Sequence, residues 1–238
     1  IKYCNNFSNI YFNLINYFDG LDFLYSFMFL YIFLYIFLYI ILKNNINFIK
    51  LDPNRKLYII KNISKSIGLI LLIIFNINTL YNITIKNIWD NYEIHRIGFI
   101  YSSSDILSLL IVRKLPFSTK IHHVSVLIFA LINSIMDYSV DTYWRGLIIY
   151  TIFSCFTYLV NTYLGIRLIY NNLYTQIMCK YALYIFLLCC LINWGFQIFI
   201  ISTWLIKFTP GVLLYSGLIS LVVYDDIILI KFLIKEIY

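Results

Sequence analysis

Seven apolar runs, most close to twenty residues and separated by short loops, occupy most of this 238-residue chain. A helix needs about 20 apolar residues to cross a bilayer core of ~30 Å. A chain built this way satisfies its backbone hydrogen bonds inside helices and turns its side chains to lipid. The runs fall at about Leu21–Leu42, Ser66–Ile83, Ile97–Val112, Ile121–Met136, Leu147–Ile169, Tyr181–Trp204 and Gly211–Ile230. The expected fold is all-α: a polytopic membrane bundle of about seven transmembrane helices.

Composition agrees. Charged residues make up 12% and hydrophobic ones 62%, with a mean hydropathy of +0.82, whereas a soluble domain is about 25% charged. A water-facing globule, a disordered chain and a disulfide-dense secreted module are excluded. The net charge of +7 lies in short loops rather than in a basic arm, so no nucleic-acid partner is expected. Five cysteines (Cys4, Cys155, Cys179, Cys189, Cys190) show no CxxC spacing and read as small hydrophobes.

The loops set a topology. Assigned to alternate sides, they place thirteen of the eighteen basic residues on one side and five on the other. Cytoplasmic loops carry the Lys/Arg excess, so the C-terminus is expected on the cytoplasmic face or its organellar equivalent. Residues 1–20 lack a basic n-region and a cleavage site and read as an interfacial segment. Residues 21–42 follow as an extra span, with FLYI three times from Phe29 to Ile40. The period of four sets Tyr31, Tyr35 and Tyr39 on one stripe, expected to face lipid.

Polar groups inside a membrane are expensive and mark function or helix–helix contacts. Span three carries Tyr101, Ser104 and Asp105; span four opens on Thr119-Lys120-Ile121-His122-His123; span five carries Tyr158, Asn161 and Arg167. Ser118 or Thr119 is a candidate helix cap after Pro116. Adjacent helical residues point about 100° apart, so one histidine at most is expected to face the bundle axis. With no HxxxH and no carboxylate on the same helical face, no metal is expected. Asp105 needs a cation, and His122, His123 and Arg167 are the available ones. Asp225-Asp226 in span seven reads as an interfacial pair beside Lys231 or a loop lysine.

Taken together, YSSSDILSLL, RKLPFSTKIHHVSVLIFALIN and YWRGLIIYTIFSCFTYLVNTYLGIRLIY resemble the TLC domain superfamily. Tyr101 with Asp105, Pro116, His122-His123, and Asn161 with Arg167 carry the likeness. The resemblance implies six core helices, here residues 64–238, around a lipid-sized cavity. In the ceramide synthases of that family, the His-His pair is followed one helix later by paired aspartates. At that place Ile152–Asn161 holds no carboxylate, so the chain is more similar to the TLC-domain-only branch, with proposed roles in membrane lipid composition, sensing or transport.

The sequence thus favours a protein that binds, senses or transports a membrane lipid, with Tyr101, Ser104, Asp105, Tyr158, Asn161 and Arg167 as the polar lining of a cavity. No cofactor is expected. A structural membrane subunit, held by other subunits of a large assembly, is a second reading. It is motivated by plain aromatic spans and by the dominance of residues with A/T-rich codons. A third is a lipid acyltransferase using acyl-CoA, with His122 and His123 as its catalytic residues.

Overall fold

The computed structural model describes the backbone of residues 2–206 and 208–237, and the side chains of residues 22–206 and 208–237. The segment 1–20, read from sequence as interfacial, and Cys4 lie outside the described side chains.

Among the described residues the chain is all-α: α1 (Lys2–Leu42), α2 (Ile46–Ile49), α3 (Pro53–Phe75), α4 (Ile77–Thr84), α5 (Asn91–Ile111), α6 (Phe117–Asn133), α7 (Arg145–Cys155), α8 (Tyr158–Ile166), α9 (Leu173–Leu205) and α10 (Pro210–Ile237). Among the described residues, three segments are long and apolar enough to cross a membrane: Asp22–Leu42, Pro53–Phe75 and Leu173–Leu205. The α7–α8 pair makes a fourth if its 49° bend is counted as one broken span.

Local chemistry explains several boundaries. Asp52 caps α3 by accepting from the amides of Asn54 and Arg55, with Pro53 as the first helical residue, a strong start signal. The helix therefore begins well before Ser66, where the apolar run begins. Lys61 and Lys65, which read as loop charges in the sequence, lie inside it. A capping box of Asn172 and Thr175 starts α9. The expected cap of α6 by Ser118 or Thr119 is absent: Pro116 holds the N-cap position with no side-chain bond. At the α7–α8 break, the amide and Oγ1 of Thr157 both donate to the Ser154 carbonyl. A threonine bonded back in this way bends a helix.

Side-chain bonds tie the loops together at each end of the bundle. At one end Asn47 Nδ2 donates to Ile169 O (2.7 Å), and Asn54 and Lys114 exchange two bonds (3.1 and 3.4 Å). At the other, Asn91 joins Asp137 and the Tyr138 amide (2.6 Å each), and Arg96 donates to Asn76 (2.8 Å). Bonds from Ser139 and Asn91 hold the carboxyl of Asp137 below its ordinary range. Its contribution to stability is present above the usual carboxylate pKa and is lost as pH falls through the lowered value.

Helix α3 packs against α1, α5 and α8, while α10 lies against α6 and α9. A buried polar brace crosses α7, α9 and α10: Gln197 donates to Gly146 O (3.0 Å) and to Asn193 (3.1 Å), and the Tyr215 hydroxyl donates to Gln197. Such interhelical bonds contribute about 0.6–2 kcal/mol each in a membrane. Cys155, Cys179, Cys189 and Cys190 are buried free thiols.

The tyrosine stripe of α1 does not face lipid as a whole. Tyr31 and Tyr35 are buried against α3 and α5, and Tyr39 is half exposed. The reason is Gly68: a Cβ there would collide with the Tyr31 ring and hydroxyl, so the missing side chain lets α1 approach α3. Gly68→Ala is expected to lower stability by about 1–3 kcal/mol through overpacking, read as the unfolding midpoint in detergent. Adding Tyr31→Leu should recover part of that loss, which an independent pair of sites would not.

Candidate functional site

Four helices bring charged side chains to one place in the interior. Asp105 of α5 is fully buried. Its Oδ1 pairs with Lys65 Nζ of α3 at 2.5 Å and lies 3.1 Å from His123 Nδ1 of α6. Its Oδ2 is 3.7 Å from His122 Nε2. Beyond the histidines, Lys61 Nζ bonds His123 Nε2 at 3.2 Å, and Asp225 Oδ2 of α10 is 3.6 Å from His122 Nδ1. The histidine–carboxylate separations meet ion-pair distance, but Asp105 Oδ2 and both Nδ1 atoms lack a hydrogen bond of good alignment. His122 therefore lies between two carboxylates, and His123 between a carboxylate and an amine.

Both histidines are buried, with rings edge to face at 5.6 Å. Although the two rings point about 100° apart, both are buried, because α3, α5 and α10 surround this turn of α6 and each ring meets a different neighbour. Both line a cavity of about 330 Å³. It runs from Tyr58, Pro116, Thr119 and Arg167, near the end of the bundle that holds the 43–52 and 112–116 loops, inward to Leu69, Tyr101 and Tyr150. Val160, Leu164, Phe186, Leu229 and Phe232 supply apolar wall. The volume falls at the lower end of ligand pockets.

The residues singled out from the sequence divide into three groups. Tyr101, His122, His123, Asn161 and Arg167 line the cavity. Asp105 and Ser104 are buried behind that lining: Asp105 holds the histidines and Lys65, while Ser104 donates to the Tyr101 carbonyl of its own helix (3.4 Å). Tyr158 is half buried and packs against the main apolar core. The interior cation that meets Asp105 is Lys65; Arg167 instead pairs with Glu236 at 3.2 Å.

Sequence reasoning missed Lys61, Lys65 and Tyr150 as site residues and set Asp225-Asp226 at the interface. In the structure Asp226 is buried, accepting from the Tyr150 hydroxyl (3.0 and 3.1 Å) and from Trp194 Nε1 (3.3 Å). The available signal was the i, i+4 spacing of Lys61 and Lys65, which puts both on one helical face.

Asp105, His122 and His123 also offer three ligand atoms within 4.8 Å of one another. The carboxylate that α6 lacks on its own face is supplied by α5. A divalent cation there would share Asp105 Oδ1 with the Lys65 ammonium and would bind a His123 ring whose other nitrogen is held by Lys61. Two amines in contact with the donor set make this a poor fit for a metal ion and a good one for proton exchange or for holding a polar group. No protein-family model, no curated protein and no solved structure matches this chain.

Removing one partner of a buried ion pair strands the other, at a cost of about 3–5 kcal/mol. Lys65→Met should therefore unfold at a markedly lower temperature in detergent than the parent protein. Lys65→Met combined with Asp105→Leu should be less destabilised than Lys65→Met alone, since no charge is left stranded. A double variant as unstable as the sum of the singles would show that the two residues do not act as a pair.

Proposed function

We propose that this chain is a TLC-like membrane protein of seven spans (α1, α3, α5, α6, α7–α8, α9 and α10) that holds the polar end of a membrane lipid in its central cavity. The observation that carries the reading is one cavity with two kinds of wall: a polar, hydrogen-bonding end formed by Lys61, Lys65, His122, His123 and Asp225, and an apolar side formed by Val160, Leu164, Phe186, Leu229 and Phe232 of α8, α9 and α10. An amphiphile matches both. The cavity mouth lies at the end of the bundle where the basic loops gather, and the excess of Lys and Arg there supports a cytoplasmic side for that end and for the C-terminus.

Protein purified in mild detergent should carry one enriched lipid class, detectable by mass spectrometry. Leu164→Trp, which fills the apolar wall, should cut that lipid at least tenfold while the protein remains monodisperse. An absence of enriched lipid in the parent protein, or full retention in the tryptophan variant, contradicts the reading.

Acyl transfer from acyl-CoA is a second reading, supported by one observation. The carboxylates missing from Ile152–Asn161 have counterparts on other helices: Asp105 and Asp225 flank His122 at 3.7 and 3.6 Å. A histidine held between carboxylates is equipped as a general base toward an amine or hydroxyl. On this reading His122→Ala with His123→Ala abolishes transfer of a labelled acyl group to an amine or hydroxyl lipid. Transfer unchanged by both replacements removes it.

A further inference from the structure

Lys61 differs from the basic side chains that pair with acids. Lys65 has Asp105, Arg96 has Glu93, Arg145 has Asp141 and Arg167 has Glu236. Lys61 is only 4% exposed, and among the described residues no carboxylate lies within ion-pair distance of its Nζ. Its hydrogen-bonding partner is the His123 imidazole at 3.2 Å, with the Tyr58 ring face 5.8 Å away. An ammonium buried without an acid is costly, whereas a neutral amine donating to an imidazole is not. The amine also lines the cavity, so a bound molecule can reach it.

A desolvated lysine beside a second cationic group (here Lys65, one turn along α3) and a proton acceptor (His123 Nε2) is the arrangement that makes an amine nucleophilic toward carbonyl carbon. We propose that Lys61 captures a long-chain aldehyde as an imine; the proposal rests on the reading that the cavity takes an amphiphile. The Nζ lone pair attacks the aldehyde carbon, and His123 Nε2 relays the two amine protons in turn to the former carbonyl oxygen. The first makes the carbinolamine hydroxyl, and the second releases it as water when the C=N bond forms. Amine and aldehyde thus give imine and one water, with no oxidant or reductant. Asp105 Oδ1, 3.1 Å from His123 Nδ1, favours the tautomer whose Nε2 accepts. The apolar walls at Leu69, Val160, Leu164 and Leu229 accommodate the chain and limit the water that would reverse the reaction.

The test uses the full chain in detergent micelles with hexadecanal and sodium cyanoborohydride, which reduces the imine to a stable amine. Peptide mass spectrometry then locates the adduct. The expected result is a single modification at Lys61, adding the mass of the aldehyde less one oxygen, at least tenfold above that at the exposed Lys43, Lys114 and Lys120. Lys61→Arg should abolish it, and His123→Ala should slow it about a hundredfold. Modification spread over the exposed lysines without preference for Lys61 overturns the proposal, and needs no variant to fold. Hexadecanol retained by the protein without any Lys61 adduct overturns the capture site and leaves the lipid cavity standing. Neither retention nor adduct overturns both.

Discussion

A carboxylate cannot remain charged and alone inside an apolar bundle. Asp105 is fully buried among helices, where even the lenient insertion scale sets the cost of an aspartate at about 3 kcal/mol. Its neutralisation organises the interior. Lys65 must reach it from α3, so α3 must lie beside α5 with its lysine face inward. His123 and His122 must reach it from α6, which fixes the rotation of that helix. The remaining edges of the histidines then face Lys61 and Asp225. One buried charge thereby holds three helices in a set rotation and turns a polar surface to the space between them.

The same constraint explains why the polar and apolar walls of the cavity are separate. Lysine and histidine side chains on α3 and α6 are drawn toward Asp105. Apart from Asn161 on α8 and Asp225 and Asp226 on α10, the facing sides of α8, α9 and α10 present Val160, Leu164, Phe186 and Leu229. Asp226 is accommodated by its own donors, Tyr150 and Trp194, and so leaves the Asp105 cluster undisturbed. A cavity with one proton-exchanging end and one greasy side suits a molecule of the same two-part character.

Much of this was legible in the sequence, and the failures have physical causes. The all-helical character followed from apolar runs, because backbone groups in lipid have few other solutions. His122, His123 and Asp105 stood out because polar residues in such runs are rare. Lys61 and Lys65 did not, because hydropathy places the start of a span at the first unbroken apolar stretch, near Ser66. The Asp52–Pro53 start signal places it more than a turn earlier. His122 and His123 were already candidate partners of Asp105, but Asp225 was set at the interface; its approach to His122 from α10 is a long-range pairing that no local spacing encodes. The inward turn of Tyr31 depends on Gly68, thirty-seven positions away in the chain.

The central claim is that the cluster around His122 and His123 receives the polar end of a lipid whose chain lies along α8, α9 and α10. A cryo-electron density map of the protein in lipid nanodiscs tests it most directly. The expected result is elongated density in the cavity, ending within hydrogen-bonding reach of His122 or Lys61 and continuing past Leu164. A cavity closed by repacked side chains, or holding only isolated water-sized density, contradicts it.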